Sequence, residues 1–259
     1  KKYAVPRRTD LRYEDGAENA QGEEDDTPDY PVHLFLSREG YLKKITPQSL
    51  RMASDQKYKE GDGPFLYWEG NNRDELLVFT DHRQVYKCKV AQFEDTKSAQ
   101  LGSYLPTDLG MDPDESVTWV IDPEDYKADV LFVFENGRVA RVALAGYETK
   151  TNRKRLKNAI YGGSKLLFAT VLKEDRDLAL VSSDQRLINF NTSLLKTKTT
   201  NSTQGVLAFT AKNGRLVTMV GTAEEFLGRT ASVEKFRAAS LPSARSPIKE
   251  TATNSPLPS

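Results

Sequence analysis

LFLSREGYLKKI at 34–45, LVFTDHRQVYKC at 77–88, LFVFENGRVARV at 131–142 and LVSSDQRLINF at 180–190 are one phrase written four times. Each copy is an apolar strand, a polar turn and a second strand. In three of the four, the second strand carries a basic residue two places past its first apolar position: Lys44 after Leu42, Lys87 after Val85 and Arg141 after Val139. Anchored on Leu42, Val85, Val139 and Leu187, the copies recur roughly every 45–50 residues, the length of one propeller blade.

Working outward, β-branched and aromatic runs with period-2 character fill the chain from Val32 to about 221: PFLYWE, SVTWVI, KLLFATV, VLAFTA and RLVTMV join the hairpins. Turn pairs punctuate them at Glu39-Gly40, Asn71-Asn72, Asn136-Gly137, Asp184-Gln185 and Asn213-Gly214. Only AEEFLG and VEKF, past Gly221, read as helical. A blade needs about four strands, and the last repeat offers 178–182, 186–191, 205–210 and 215–220. The expectation is an all-β, propeller-like fold of four four-stranded blades, either a small disc or an open crescent.

The 259 residues balance 37 lysines and arginines against 37 carboxylates. The balance hides segregation, because EDGAENAQGEEDDTPDY at 14–30 is strongly acidic and holds no lysine or arginine, which leaves the rest basic. Too polar to offset its ordering entropy, this stretch marks residues 1–31 as a flexible linker, 32–222 as the folded domain and 223–259 as a largely disordered tail. One cysteine, Cys88, excludes an internal disulfide. No run has transmembrane length and the N-terminus lacks a secretory apolar stretch, so a soluble cytoplasmic protein is expected.

Catalytic motifs are absent from the sequence. His33 and His82 lack metal-ligand spacing with each other or with Cys88, and no phosphate-binding or nucleophile-elbow motif occurs. Gly162-Gly163 before Lys165 reads as a turn, and Cys88, mid-strand, as a buried structural thiol. What recurs is positive charge: Lys43, Lys44, Arg83, Lys87, Lys89, Arg138 and Arg141 on the hairpins, with Arg51, Lys57 and Lys59 in neighbouring segments. Denser clusters follow, Lys150, Arg153, Lys154, Arg155 and Lys157 in one and Lys196 with Lys198 in the other. If blades set equivalent positions on a common rim, these cations form a band suited to the phosphates of duplex DNA. Single lysines on a strand's solvent face serve equally to blunt an edge.

The same residues carry a resemblance. VHLFLSREGYLKKITPQSLRM, DELLVFTDHRQVYKCKVAQFEDTKSAQLG, ETKTNRKRLKNA and TTNSTQGVLAFT resemble the C-terminal β-pinwheel domain of type IIA topoisomerase A subunits, with the topoisomerase IV-like proteins of Gram-positive bacteria nearest and gyrase A related. The opening KKYAVPRRTDL is similar to the segment where such a chain leaves its catalytic core. The resemblance implies an accessory domain, itself without catalysis or cofactor, that binds and bends duplex DNA. Cleavage would lie in the N-terminal core of the same polypeptide, while ATP and magnesium would be used by that core and a B subunit of the heterotetramer. The glycine-rich box that gyrase A uses for handed wrapping corresponds to Gln56, Lys57, Tyr58, Lys59, Glu60, Gly61, Asp62 and Gly63. Glu60 and Asp62 intrude there, which implies decatenation or relaxation rather than supercoiling. Against this stand a gyrase domain with a decayed box and a protein-interaction propeller without a DNA role.

Overall fold

The computed structural model describes residues 27–149, 153–209, 214–228 and 232–248. Most of the expected linker, the end of the tail and Lys150 lie outside them. The four phrases are four antiparallel hairpins: β1 (Pro31–Ser37) with β2 (Tyr41–Ile45), β4 (Glu75–Thr80) with β5 (Val85–Lys89), β8 (Asp129–Phe134) with β9 (Arg138–Ala143), and β12 (Asp177–Ser182) with β13 (Arg186–Asn191). Every turn closes the same way, on a left-handed residue at its end: Gly40, Arg83, Gly137 and Gln185 have φ of 92, 60, 82 and 54°. Glycine fills two of the four because it meets no Cβ penalty there.

Each hairpin gains an inner strand from the chain that follows, namely β3 (Pro64–Asn71), β7 (Val117–Ile121), β11 (Leu166–Leu172) and β15 (Val217–Gly221). Trp119 of β7 joins three of them, its ring 5.3 Å from Phe65 and 5.5 Å from Phe168. The outer strands are two residues long and come from further along. Ser103–Tyr104 (β6), Arg155–Leu156 (β10) and Val206–Leu207 (β14) return to pair with β2, β5 and β9 only after the next sheet's hairpin has been laid down. The sheet orders are thus β3-β1-β2-β6, β10-β5-β4-β7 and β11-β8-β9-β14. This stitching corrects the contiguous blades expected from the sequence, since part of 205–210 belongs to the third sheet, not the fourth. The return needs close backbone approach in two places: a Cβ on Gly102 would lie 2.3 Å from the Leu42 carbonyl oxygen, and one on Gly205 would lie 2.1 Å from that of Val139.

The sheets stack in series through apolar side chains. Leu34 and Leu36 meet Leu76 and Val78, Leu77 and Phe79 meet Phe132 and Phe134, and Leu131 and Val133 meet Leu178 and Leu180. Middle strands are therefore covered on both faces, and LLVF and VLFVF read as unbroken apolar runs where β1 alternates. β12 is covered on both faces too, because its far side packs against residues past 222. Ala223 of helix α1 (Ala223–Leu227), Phe236 and Ile248 lie over Ala179, Val181 and Leu187. Strands β16 (Arg237–Ala238) and β17 (Ser246–Pro247) pair with β13. Ordered chain also precedes Val32: Asn72 and Arg73 side chains donate to the carbonyls of Pro28 and Thr27 at 2.8 and 2.6 Å. None of the apolar clusters among the described residues joins the fourth sheet to the first, and no helix there is long and apolar enough to cross a membrane.

Candidate nucleic-acid interface

The recurring cation of the second strand turns inward. Because the middle strands have neighbours on both faces, a lysine at that position leaves water and must find a carboxylate. Lys44, 3% exposed, lies 3.1 Å from Asp95 and donates to Asn72 at 2.9 Å. Lys87, 10% exposed, lies 3.2 Å from Glu75 and 5.0 Å from the Tyr126 ring centre. Arg141 bridges Asp129 at 2.5 Å and Asp175 at 2.7 Å. Asn189 takes the equivalent place in the fourth sheet and is buried. Lys43 is buried without an acid: its ammonium donates to the carbonyls of Lys57 and Ser98 and to Gln56 Oε1 at 2.5, 2.9 and 3.3 Å, and burial lowers its pKa. Lys43, Lys44, Lys87 and Arg141 are thus structural, which corrects the expectation that they form a surface band.

The box-like stretch is a loop braced from below by Lys43. Gln56 donates to Ser98 Oγ at 3.1 Å, and Gly61 has φ of 84° with open space around it. Rather than facing phosphate, as the sequence suggests, Asp62 turns inward and accepts from the backbone N–H groups of Gly63 and Glu39 at 2.7 and 3.0 Å. Burial opposes its charge, yet the Ser37 hydroxyl and these N–H groups hold its carboxyl below the ordinary range. Lys59 is exposed but pairs with Glu39 at 2.8 Å. Lys57 and Glu60 are exposed, Tyr58 is half-buried, and Arg51 is exposed with its guanidinium donating to the Pro47 carbonyl.

Among the described residues, exposed cations gather at the outer edge of the second sheet. Pairing of β10 with β5 sets Arg155 and Leu156 opposite Tyr86 and Val85, and the Lys154 carbonyl accepts from the Lys87 N–H at 2.8 Å. Arg153 and Lys154, both exposed, share a cleft of about 480 Å³ with Lys87, Lys89 and Glu75. Around the corner Arg83, Arg155 and Lys157 line a second hollow with Asp112. Arg155 is fixed there by Asp112 and Gln84 and lies 5.4 Å from the Tyr86 ring centre. Burial, then Glu115, pushes the Tyr86 phenol up to about 12, so it stays a donor and binds Glu115 at 2.8 Å. His82, Asp112 and Glu115 bring possible ligand atoms within 4.8 Å of one another. The carboxylates are already engaged, by Thr80 and Tyr86 on one side and Gln84 and Arg155 on the other, so the cluster reads as a brace. Lys196 and Lys198 are exposed on the segment approaching β14, and Arg138 is half-buried near the Gly205 carbonyl.

No family model matches the chain. It is 24% identical over 173 residues to the A polypeptide of DNA topoisomerase 4 from Staphylococcus aureus, a match covering 65% of this chain and 22% of that protein. The chain therefore spans about a fifth of the length of the curated relatives it matches. Its fold is similar to the C-terminal domain of DNA topoisomerase IV, with a TM-score of 0.62 and 23% identity over 74% of this chain and 61% of that one. It is also similar to the C-terminal domain of E. coli ParC, with a TM-score of 0.56 and 16% identity over 73% of this chain and 78% of that one. The DNA gyrase A C-terminal domain gives 0.52 and 17% over 76% and 66%. In sequence the chain is similar to a topoisomerase 4 A polypeptide, and in sheet architecture it has the β-pinwheel fold of the C-terminal domains of topoisomerase IV, ParC and gyrase A.

Proposed function

We propose that this domain is a non-catalytic accessory module that binds and bends duplex DNA, and delivers the segment to be transported to the catalytic core of a topoisomerase IV-like A subunit. The observation that carries the reading is the outer edge of the second sheet, where Arg153 and Lys154 stand exposed in one cleft with Lys89, and Lys157 stands exposed around the corner. A patch of this kind meets phosphates without reading bases. Strand cleavage then belongs to the N-terminal core of the same polypeptide. That core and the B subunit of the heterotetramer use ATP and magnesium, and residues before 32 connect the domain to the core.

The test is binding of a labelled duplex across ~50 to ~200 mM salt, where a handful of phosphate contacts costs orders of magnitude in affinity. Replacing Arg153 and Lys154 by alanine should weaken binding and flatten the log–log salt slope by about two units. The melting temperature should stay unchanged. Binding that ignores salt, or that follows one sequence, would remove the basis for backbone recognition.

A further inference from the structure

Three arginines from three separate segments converge on the hairpin turn of the fourth sheet. Asp184, in the β12–β13 turn, lies 2.7 Å from Arg245, 3.2 Å from Arg215 and 3.7 Å from Arg186. They line a concavity of about 400 Å³ whose floor includes the buried ring of Phe209. Arg245 is the anchor: its side chain is 7% exposed, stacks 4.3 Å from the Phe209 ring centre and bonds both Asp184 and Ser182. Arg186 and Arg215 are 44% and 42% exposed.

The charges do not close. Burial works against ionisation of Asp184, but the Ser182 hydroxyl, Arg245 and Arg215 hold its carboxyl below the ordinary range, so it supplies one full negative charge against three positive ones. Nor do the donors close. Asp184 Oδ2 is buried and accepts no hydrogen bond, although two guanidiniums lie within 4 Å of it. Among the described residues Arg186 donates only to the Arg245 carbonyl, at 3.1 Å, and Arg215 donates to nothing. Each guanidinium carries five N–H donors in a fixed fork. Two forks, half in water and unspent, beside a carboxylate that orients them without exhausting them, match the oxygens of a tetrahedral phosphoryl anion.

We propose that Arg186, Arg215 and Arg245 form a phosphoryl-binding site on the fourth sheet, separate from the basic edge of the second. The phosphoryl group can belong to a nucleic-acid backbone, which rests on the reading above, or to a free phosphate, which does not.

Inorganic pyrophosphate titrated into the full chain at constant ionic strength should shift the Nε–Hε resonances of Arg186 and Arg215. Arg186→Gln with Arg215→Gln spares the anchoring Arg245, and it should weaken pyrophosphate binding by about tenfold or more, the loss expected of two charge-assisted contacts. Arg153→Ala with Lys154→Ala should leave pyrophosphate binding intact. Loss of duplex affinity as well in the glutamine variant assigns the site to the backbone. Pyrophosphate bound at these arginines by a chain that binds no duplex would sink the nucleic-acid reading and leave the site one for free phosphate. A folded glutamine variant that binds both probes as wild type does, or arginine resonances that neither probe moves, overturns the proposal.

Discussion

Lys43→Met separates a structural lysine from a phosphate-binding one. The substitution keeps an unbranched apolar stem and removes the ammonium. Its loss strips a donor from the carbonyls of Lys57 and Ser98 and from Gln56 Oε1. An acceptor left buried and unpaired costs about 1–3 kcal/mol. Part is returned, because burial already disfavours the charged amine, as its lowered pKa records. The Ser98 carbonyl still accepts from the Lys57 N–H at 2.9 Å, so a net loss of about 1–3 kcal/mol follows for the one orphaned carbonyl, that of Lys57. At roughly 2–4 °C per kcal/mol for a domain of this size, the melting temperature should fall by about 2–12 °C. Amide exchange in 56–63 should accelerate ahead of the rest, since the bonds lost are those that tie this loop to the sheet. Calorimetry with hydrogen exchange reads both, and Arg153→Ala serves as the exposed control, expected within about 0.5 kcal/mol of wild type. If Lys43→Met melted with wild type and lost duplex affinity as Arg153→Ala does, the ammonium would face solvent and the assignment of the repeated cations to the interior would fall.

Gly102→Ala should destabilise by on the order of 3 kcal/mol, since φ is +89° and the new Cβ would meet the Leu42 carbonyl; a wild-type melting temperature would show that the returning strand does not need this approach. Burial, with Asp74 alongside, pushes the carboxyl of Asp122 up to about 7 against the opposing Glu124 N–H. Between an unfolded value of ~3.9 and that folded value the native state binds the extra proton, so this group's contribution is complete below ~3.9 and is lost as pH rises through about 7. Asp122→Asn should flatten the stability profile over that window, and an unchanged slope in urea titrations would count against it. Nicked plasmid ligated with saturating domain should show little change in linking number, because Lys59 is paired with Glu39 and Glu60 stands exposed beside it; a large positive writhe would move the assignment to gyrase.

The hairpins are legible in the sequence because each is local: strand, left-handed turn and strand sit within a dozen residues, and the repeat announces itself. The outer strands are not. Ser103–Tyr104 and Arg155–Leu156 are too short to show a period, and they pair with strands laid down before the next hairpin. The repeated cations differ again, for the signal that places them is present in the sequence. ELLVF and DVLFV are unbroken apolar runs, which in a stacked sheet means cover on both faces, so a cation on the adjoining strand has to be interior. The acid it needs stands at the head of each run, as Glu75 and Asp129. Likewise, the alternation of VHLFLS marks β1 as part of an end sheet of the stack, with Phe35 and His33 left beside the half-exposed ring of Tyr67. What repeats in all four sheets is therefore what the stack requires. Chemistry that faces outward has to be sought where the copies differ. In this chain the differences are the run 153–157 on the second sheet and, on the fourth, Arg186, Arg215 and Arg245, which only the folded chain brings together.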